Sequence, residues 1–212
     1  MNILDKIIAD KYKEVALRKQ LIPVKQLEQS VLFERKSPSL ARALGTSASG
    51  IIAEHKRRSP SKATINHNLN VQDVARGYEQ AGVCGMSVLT DGKYFGGSLD
   101  DLLLARAAAQ LPLLRKEFVI DTYQILEAKA YGADVILLIA AVLTREEIKT
   151  LSEFAKSLGL DVLLEVHNLE ELEKSVMPSL DMLGVNNRNL KTFEVSLETS
   201  KSLSAEIPDD FV

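Results

Sequence analysis

The sequence predicts an α/β fold of the (β/α)8 barrel kind, with parallel strands and helices in strict alternation behind a helical N-terminal extension. Three observations predict it. After residue 50, short apolar runs alternate with amphipathic segments, and strict strand–helix alternation means parallel strands with right-handed crossovers. Polar residues capable of chemistry gather where successive apolar runs end, which is the barrel habit; an open doubly wound sheet concentrates its site near one switch point. No Gly-rich dinucleotide fingerprint follows the first run, which further disfavours the open sheet.

Each element has its own local cause. Residues 2 to about 20 carry Ile3, Leu4, Ile7, Ile8 and Val15 with Lys and Asp between them, a helical period. Pro23 ends or interrupts that helix, and a second helical piece is expected from Val24 to Phe33. Residues 34–50 read as a mixed link with Pro38, Gly45 and Gly50. The strand-like runs are Ile51–Ala53, Cys84–Leu89, Leu111–Leu114, Asp134–Ile139, Asp161–Val166 and Met182–Val185. The helices between and after them are expected at Val71–Ala81, Leu99–Ala109, Asp121–Tyr131, Thr144–Leu158, Leu169–Val176 and Ser196–Ser204. Gly82, Gly132 and Gly159 sit just past three of these helices, where a left-handed residue is wanted. Thr144 followed by Glu147 forms a capping box. The organisation is therefore a helical extension over 1–50 and a partial barrel over 51–212, one domain overall. A closed barrel takes roughly 250 residues. About 160 follow the extension here, so about six of the eight strand–helix units are present.

Bulk properties bound the function. The chain has 212 residues, 46% of them hydrophobic, enough for one substantial core. With 26 basic and 29 acidic side chains the net charge is -3, which gives no reason to expect nucleic acid as a partner. The single Cys84 forms no internal disulfide, fits a reducing compartment, and reads as a buried small hydrophobe within AGVCGMSVL. No apolar run approaches the roughly 18 residues of a membrane span. The opening MNILDKIIADKYKEVA lacks the apolar core and cleavage site of a leader peptide. The expected location is the cytoplasm, with no membrane partner.

The most informative stretch is IIAEHKRRSPSK, Ile51 to Lys62. A buried parallel strand has no ordinary use for an acid and a base two residues apart. Positions i and i+2 share a face, so Glu54 and Lys56 project together where the strand runs out into a loop. Ser59-Pro60-Ser61-Lys62 offers hydroxyls, amides and a cation able to bind an anion, or is simply a solvated loop. Lys116, at the rim of its strand, is a candidate general acid whose pKa desolvation would lower; the alternative is a stem packed on the rim with its charge in water. Arg115 and Glu117 should point the other way, as structural or surface charges. Glu165 is a candidate acid or base, or the partner of a nearby lysine. His167 shares its face and reads as a hydrogen-bonded structural residue. Asn186-Asn187-Arg188 suits substrate hydroxyls, carboxylates or phosphate, or is a turn. The Gly-rich loop DGKYFGGS, Asp91 to Ser98, could cover a pocket but lacks the spacing of a nucleotide-phosphate loop. No His/Cys/Asp cluster has metal spacing, so no metal is expected.

Together the segments MNILDKIIADKYKEV, IIAEHKRRSPSK, SVLTDGKYFGGSLDDL, PLLRKEF, ADVILLIAAVL, LLEVHNLEEL and LGVNNRNLKTF resemble one family, in its order and over nearly the whole chain. The family is indole-3-glycerol phosphate synthase, a TIM-barrel enzyme of tryptophan biosynthesis. The resemblance implies conversion of 1-(2-carboxyphenylamino)-1-deoxyribulose 5-phosphate to indole-3-glycerol phosphate, with loss of carbon dioxide and water and no cofactor. It implies that Lys116 is the general acid that protonates the substrate carbonyl, and Glu165 the acid/base carboxylate of the later dehydration. Lys56 would lie near the substrate carboxylate, Glu54 would position it, and Asn186 would bind the reacting sugar portion. Ser59 would be a loop residue near the ligand, Phe118 an aromatic wall for the anthranilate ring, and Arg188 a polar neighbour of the site.

Two departures stand out. Ala63 follows SPSK where the family usually has Gly, which stiffens the loop. The family also continues with two further strands that carry glycine-rich phosphate loops; the resemblance thus implies a shortened chain. Three alternatives follow: an inactive fragment that needs a complementary piece, a phosphosugar isomerase barrel, or a Schiff-base aldolase. Association with another tryptophan-pathway enzyme is left open.

Overall fold

The structure is a computed structural model that describes residues 2–189 and 194–212. Met1 and residues 190–193, the end of the LGVNNRNLKTF segment, lie outside the described residues.

The extension folds as three helices, α1 (Ile3–Leu21), α2 (Val24–Glu28) and α3 (Leu40–Thr46). Asn2 caps α1, accepting from the Asp5 amide, in a full capping box. The α2 helix stops at Glu28, short of the expected Phe33. The segment read as a mixed link contains α3, capped by Ser39.

Six strands follow: β1 (Ile52–His55), β2 (Gly85–Leu89), β3 (Leu113–Lys116), β4 (Val135–Ile139), β5 (Asp161–Val166) and β6 (Met182–Val185). They form one parallel sheet in sequence order. The crossover helices are α4 (Val71–Gln80), α6 (Leu99–Ala108), α7 (Thr122–Ala130), α8 (Arg145–Ser157), α9 (Leu169–Ser175) and, after β6, α10 (Glu198–Ser204). A one-turn helix, α5 (Gly92–Phe95), precedes α6. It lies in DGKYFGGS, read from sequence as loop, because Asp91 accepts from the Tyr94 and Phe95 amides and Gly96 closes the turn at φ 68°. Gly82, Gly132 and Gly159 all take positive φ, as their positions after helices predict. The β3 strand begins two residues later than expected. Pro112 has no N–H to donate, although its carbonyl accepts from Met86 N at 2.9 Å.

The sheet's two faces bury different things. Met86, Val88, Leu113, Ile136, Leu138, Val162 and Leu164 point outward into the core shared with the helices. Leu114, Val135, Leu137, Ile139 and Met182 point into the concave side, together with Leu40. Leu40 comes from α3, which plugs the amino-terminal end of the curl. Ser39 Oγ and Ala41 N both donate to Asp161 Oδ2, at 2.8 and 3.2 Å. A Cβ on Gly85 would sit 2.6 Å from Leu40 Cδ1 and 2.9 Å from the Pro112 carbonyl oxygen, so the plug packs closely over a glycine. The extension is also fastened to α7, where Val15 and Leu27 pack on Tyr123, Leu126 and Ala130. Tyr123 Oη donates to the carbonyls of Arg18 and Ile22 at 3.1 and 2.9 Å. Cys84 is buried and unpaired. Among the described residues no helix is long and apolar enough to cross a membrane.

Candidate active site

With the amino-terminal end plugged by α3, the carboxyl ends of the strands form the open rim. Strand alternation decides which side chains reach the bore there. Lys116 follows Leu114, Glu165 follows Leu163 and Glu54 follows Ile52, each two residues on along the concave face. Arg115 and Glu117 take the opposite parity. Both are buried, as structural rather than surface charges, Arg115 against α7 and Glu117 at the wall of the rim cavity. Arg115 donates to the Gln124 carbonyl and Glu127, and Glu117 accepts from Thr90 Oγ1 at 2.8 Å.

Glu54 and Lys56 pair at 2.6 Å, the outcome their spacing predicts. Glu54 lies inside β1 rather than beyond it. Its register partner on β2 is Ser87, whose hydroxyl donates to Glu54 Oε2 at 3.2 Å. On the far side Lys116 Nζ donates to Glu165 Oε2 at 3.2 Å, and Asn186 Nδ2 donates to Glu165 Oε1 at 2.9 Å. Asn186 Oδ1 also accepts from Arg188 N at 2.9 Å, so this residue both makes its turn and reaches the site. His167 Nδ1 lies 3.0 Å from Glu171 Oε2, which agrees with a structural imidazole, while Nε2 is 3.6 Å from Glu165 Oε1. Ser59 and Lys62 exchange two backbone hydrogen bonds, at 2.9 and 3.0 Å, making a closed turn of the Ser59–Lys62 loop. Arg57 braces the preceding residues with two hydrogen bonds to Asp101, at 2.5 and 2.7 Å. Phe118 faces Phe95 with ring centroids 5.9 Å apart.

The electrostatics correct one expectation. Burial does pull Lys116 down, but the Glu165 and Glu54 carboxylates outweigh it, and the lysine's pKa is raised. Burial likewise pushes Glu165 up, but Lys116 and the Asn186 hydrogen bond hold its pKa below the ordinary carboxylate value. The pair therefore rests as ammonium and carboxylate.

All eight residues singled out from the sequence, Glu54, Lys56, Ser59, Lys116, Phe118, Glu165, Asn186 and Arg188, line one cavity of about 570 Å³. Phe95 lines it too, from the DGKYFGGS loop read as able to cover a pocket, whereas Ile3, Leu4 and Ile7 of α1 line it and were missed. So was Lys11, buried behind the rim. A signal existed for it: Ile7, Lys11 and Val15 fall at i, i+4 and i+8, so the lysine interrupts the buried stripe of α1.

A family model described as indole-3-glycerol phosphate synthase matches residues 4–212. Curated relatives of that description agree. One from Bacteroides thetaiotaomicron is 47% identical over all of this chain and 81% of its own length. One from Dechloromonas aromatica is 45% identical over 98% of this chain and 80% of its own length. A third, from Polynucleobacter asymbioticus, is 46% identical over 98% of this chain and 81% of its own length.

Proposed function

Since the chain belongs to the indole-3-glycerol phosphate synthase family, lyases of tryptophan biosynthesis that act on a phosphorylated small molecule, we propose that the rim cavity is where its ring-closing decarboxylation occurs and that the eight residues lining it divide the work. The observation that carries this reading is the Lys116–Glu165 pair inside a cavity lined by all eight.

Lys116, held as an ammonium, donates its proton to the C2 carbonyl oxygen of the substrate while that carbon bonds to the aryl carbon bearing the carboxylate. Carbon dioxide then leaves, the electron pair of the bond it breaks stays on the ring and restores its aromaticity, and Lys56 accommodates the departing carboxylate. Glu54 holds Lys56 through their 2.6 Å ion pair. Glu165, ionised at rest, takes a proton from the methylene carbon between the nitrogen and the hydroxyl-bearing carbon and returns it to the departing hydroxyl, so that the ring double bond and water form together. Asn186 orients both Glu165 and the sugar portion, Phe118 walls the aryl ring, and Ser59 and Arg188 bound the ligand at the loops. A lysine kept charged is a proton donor and a poor amine nucleophile, which argues against the Schiff-base aldolase. The cytoplasm is the location we propose for this reaction.

The test is formation of indole-3-glycerol phosphate by the purified chain, followed by indole fluorescence. Turnover that disappears in Lys116→Ala is the expected result. A rate unchanged by that substitution overturns the assignment.

A further inference from the structure

Lys11 is a lysine of α1 that is 1% exposed. Its ammonium has three N–H donors and three carboxylates around it: Glu14 at 2.8 Å, Asp91 at 3.0 Å and Glu117 at 3.0 Å. Burying that ion is costly unless every proton finds a partner. Two of the partners are not idle surface acids. Asp91 caps α5, the turn that ends in Phe95. Glu117 accepts from the Phe118 amide at 2.9 Å and follows Lys116 directly in the chain. Phe95 and Phe118 are the ring pair at the cavity wall. One buried cation in the extension thus ties together the two segments, after β2 and after β3, that carry those rings.

We propose that Lys11 is a positioning residue for the aryl end of the cavity: it fastens the Phe95 and Phe118 segments to α1, so that an aromatic ligand meets a preformed wall. That the ligand's ring is an anthranilate rests on the function proposed above; the fastening itself does not.

The experiment compares Lys11→Met, Lys11→Arg and the double variant Lys11→Met/Asp91→Asn with the native chain. The double variant removes one charge of each sign, and asparagine retains the oxygen that caps α5, so it keeps the comparison open where Lys11→Met alone fails to fold. The first readout is the Phe95–Phe118 ring-to-ring NOE in the ligand-free protein. It is expected to be lost in Lys11→Met and in the double variant, and retained in Lys11→Arg. A folded double variant that keeps the NOE overturns the proposal. The second readout is affinity for the substrate with its carbonyl reduced, against ribose 5-phosphate, which lacks the aryl group. About tenfold weaker binding of the first, with the second unchanged, is expected for a lost aryl contact worth roughly 1.4 kcal/mol. Equal weakening of both ligands overturns the proposal, since a merely stabilising ion would act on both. A native chain that shows the NOE but does not bind the reduced substrate refutes the functional reading instead, and the NOE still decides the role of Lys11.

Discussion

Lys116 Nζ lies 3.2 Å from Glu165 Oε2 although β4 separates the strands that carry them. Adjacent strands stand roughly 4.8 Å apart, so two side chains one strand removed meet this closely by leaning into the concave face. The contact sets the charge state of both residues. Lys116→Ala should lower kcat by about 10²- to 10⁴-fold, the usual worth of a general acid. Indole fluorescence in initial-rate assays measures it.

Glu165 is the strongest force holding Lys116 protonated. In Glu165→Gln, burial is opposed by Glu54 with less help, so the lysine's titration should move to lower pH than in the native chain. NMR of dimethylated lysines, with Lys116 assigned by substitution, reads this shift. An unmoved Lys116 signal would break the coupling.

Glu117 is buried against Lys11 and Arg115. Burial raises its pKa, but the two cations prevail and it ends below the ordinary value of 4.5. A depressed carboxylate adds stability above its unfolded pKa and loses it as pH falls through the folded one. Glu117→Gln should therefore destabilise the chain by roughly 3 kcal/mol at pH 7. That deficit should shrink as pH drops below 4.5. Urea unfolding at a series of pH values gives the curve, and a deficit that grows on acidification would contradict the sign.

Gly97 passes over the carboxyl end of β2. A Cβ there would sit 1.9 Å from the Leu89 carbonyl oxygen and 2.5 Å from its carbon. Both are backbone atoms, so no rotamer relieves the clash. Gly97→Ala should cost about 3 kcal/mol or more, read as a lower urea midpoint at unchanged slope.

Much of this protein was legible locally. Apolar runs placed the six strands to within a few residues, because parallel strands such as β2 and β4 are covered on both faces and bury every side chain, while the pleat sends successive side chains to opposite faces with a period of two. The same period joined Glu54 to Lys56 and turned Arg115 away from Lys116. Glycines after helices and the Thr144 capping box follow from backbone sterics and unsatisfied amides, which a short window of sequence records. The eight site residues were found partly by spacing and partly by family resemblance.

What the tertiary structure decided is everything that depends on separation in space rather than along the chain. The link over 34–50 became the plug α3 only because Leu40 finds Gly85 and Ser39 finds Asp161. Lys116 kept its proton because a carboxylate 49 residues away balances its desolvation. Lys11 stood in the open as an interruption of an apolar stripe, and its meaning came from Asp91 and Glu117 on two other segments. Periodicity is a local record of burial; charge state and ion pairing are sums over neighbours that only the folded chain assembles.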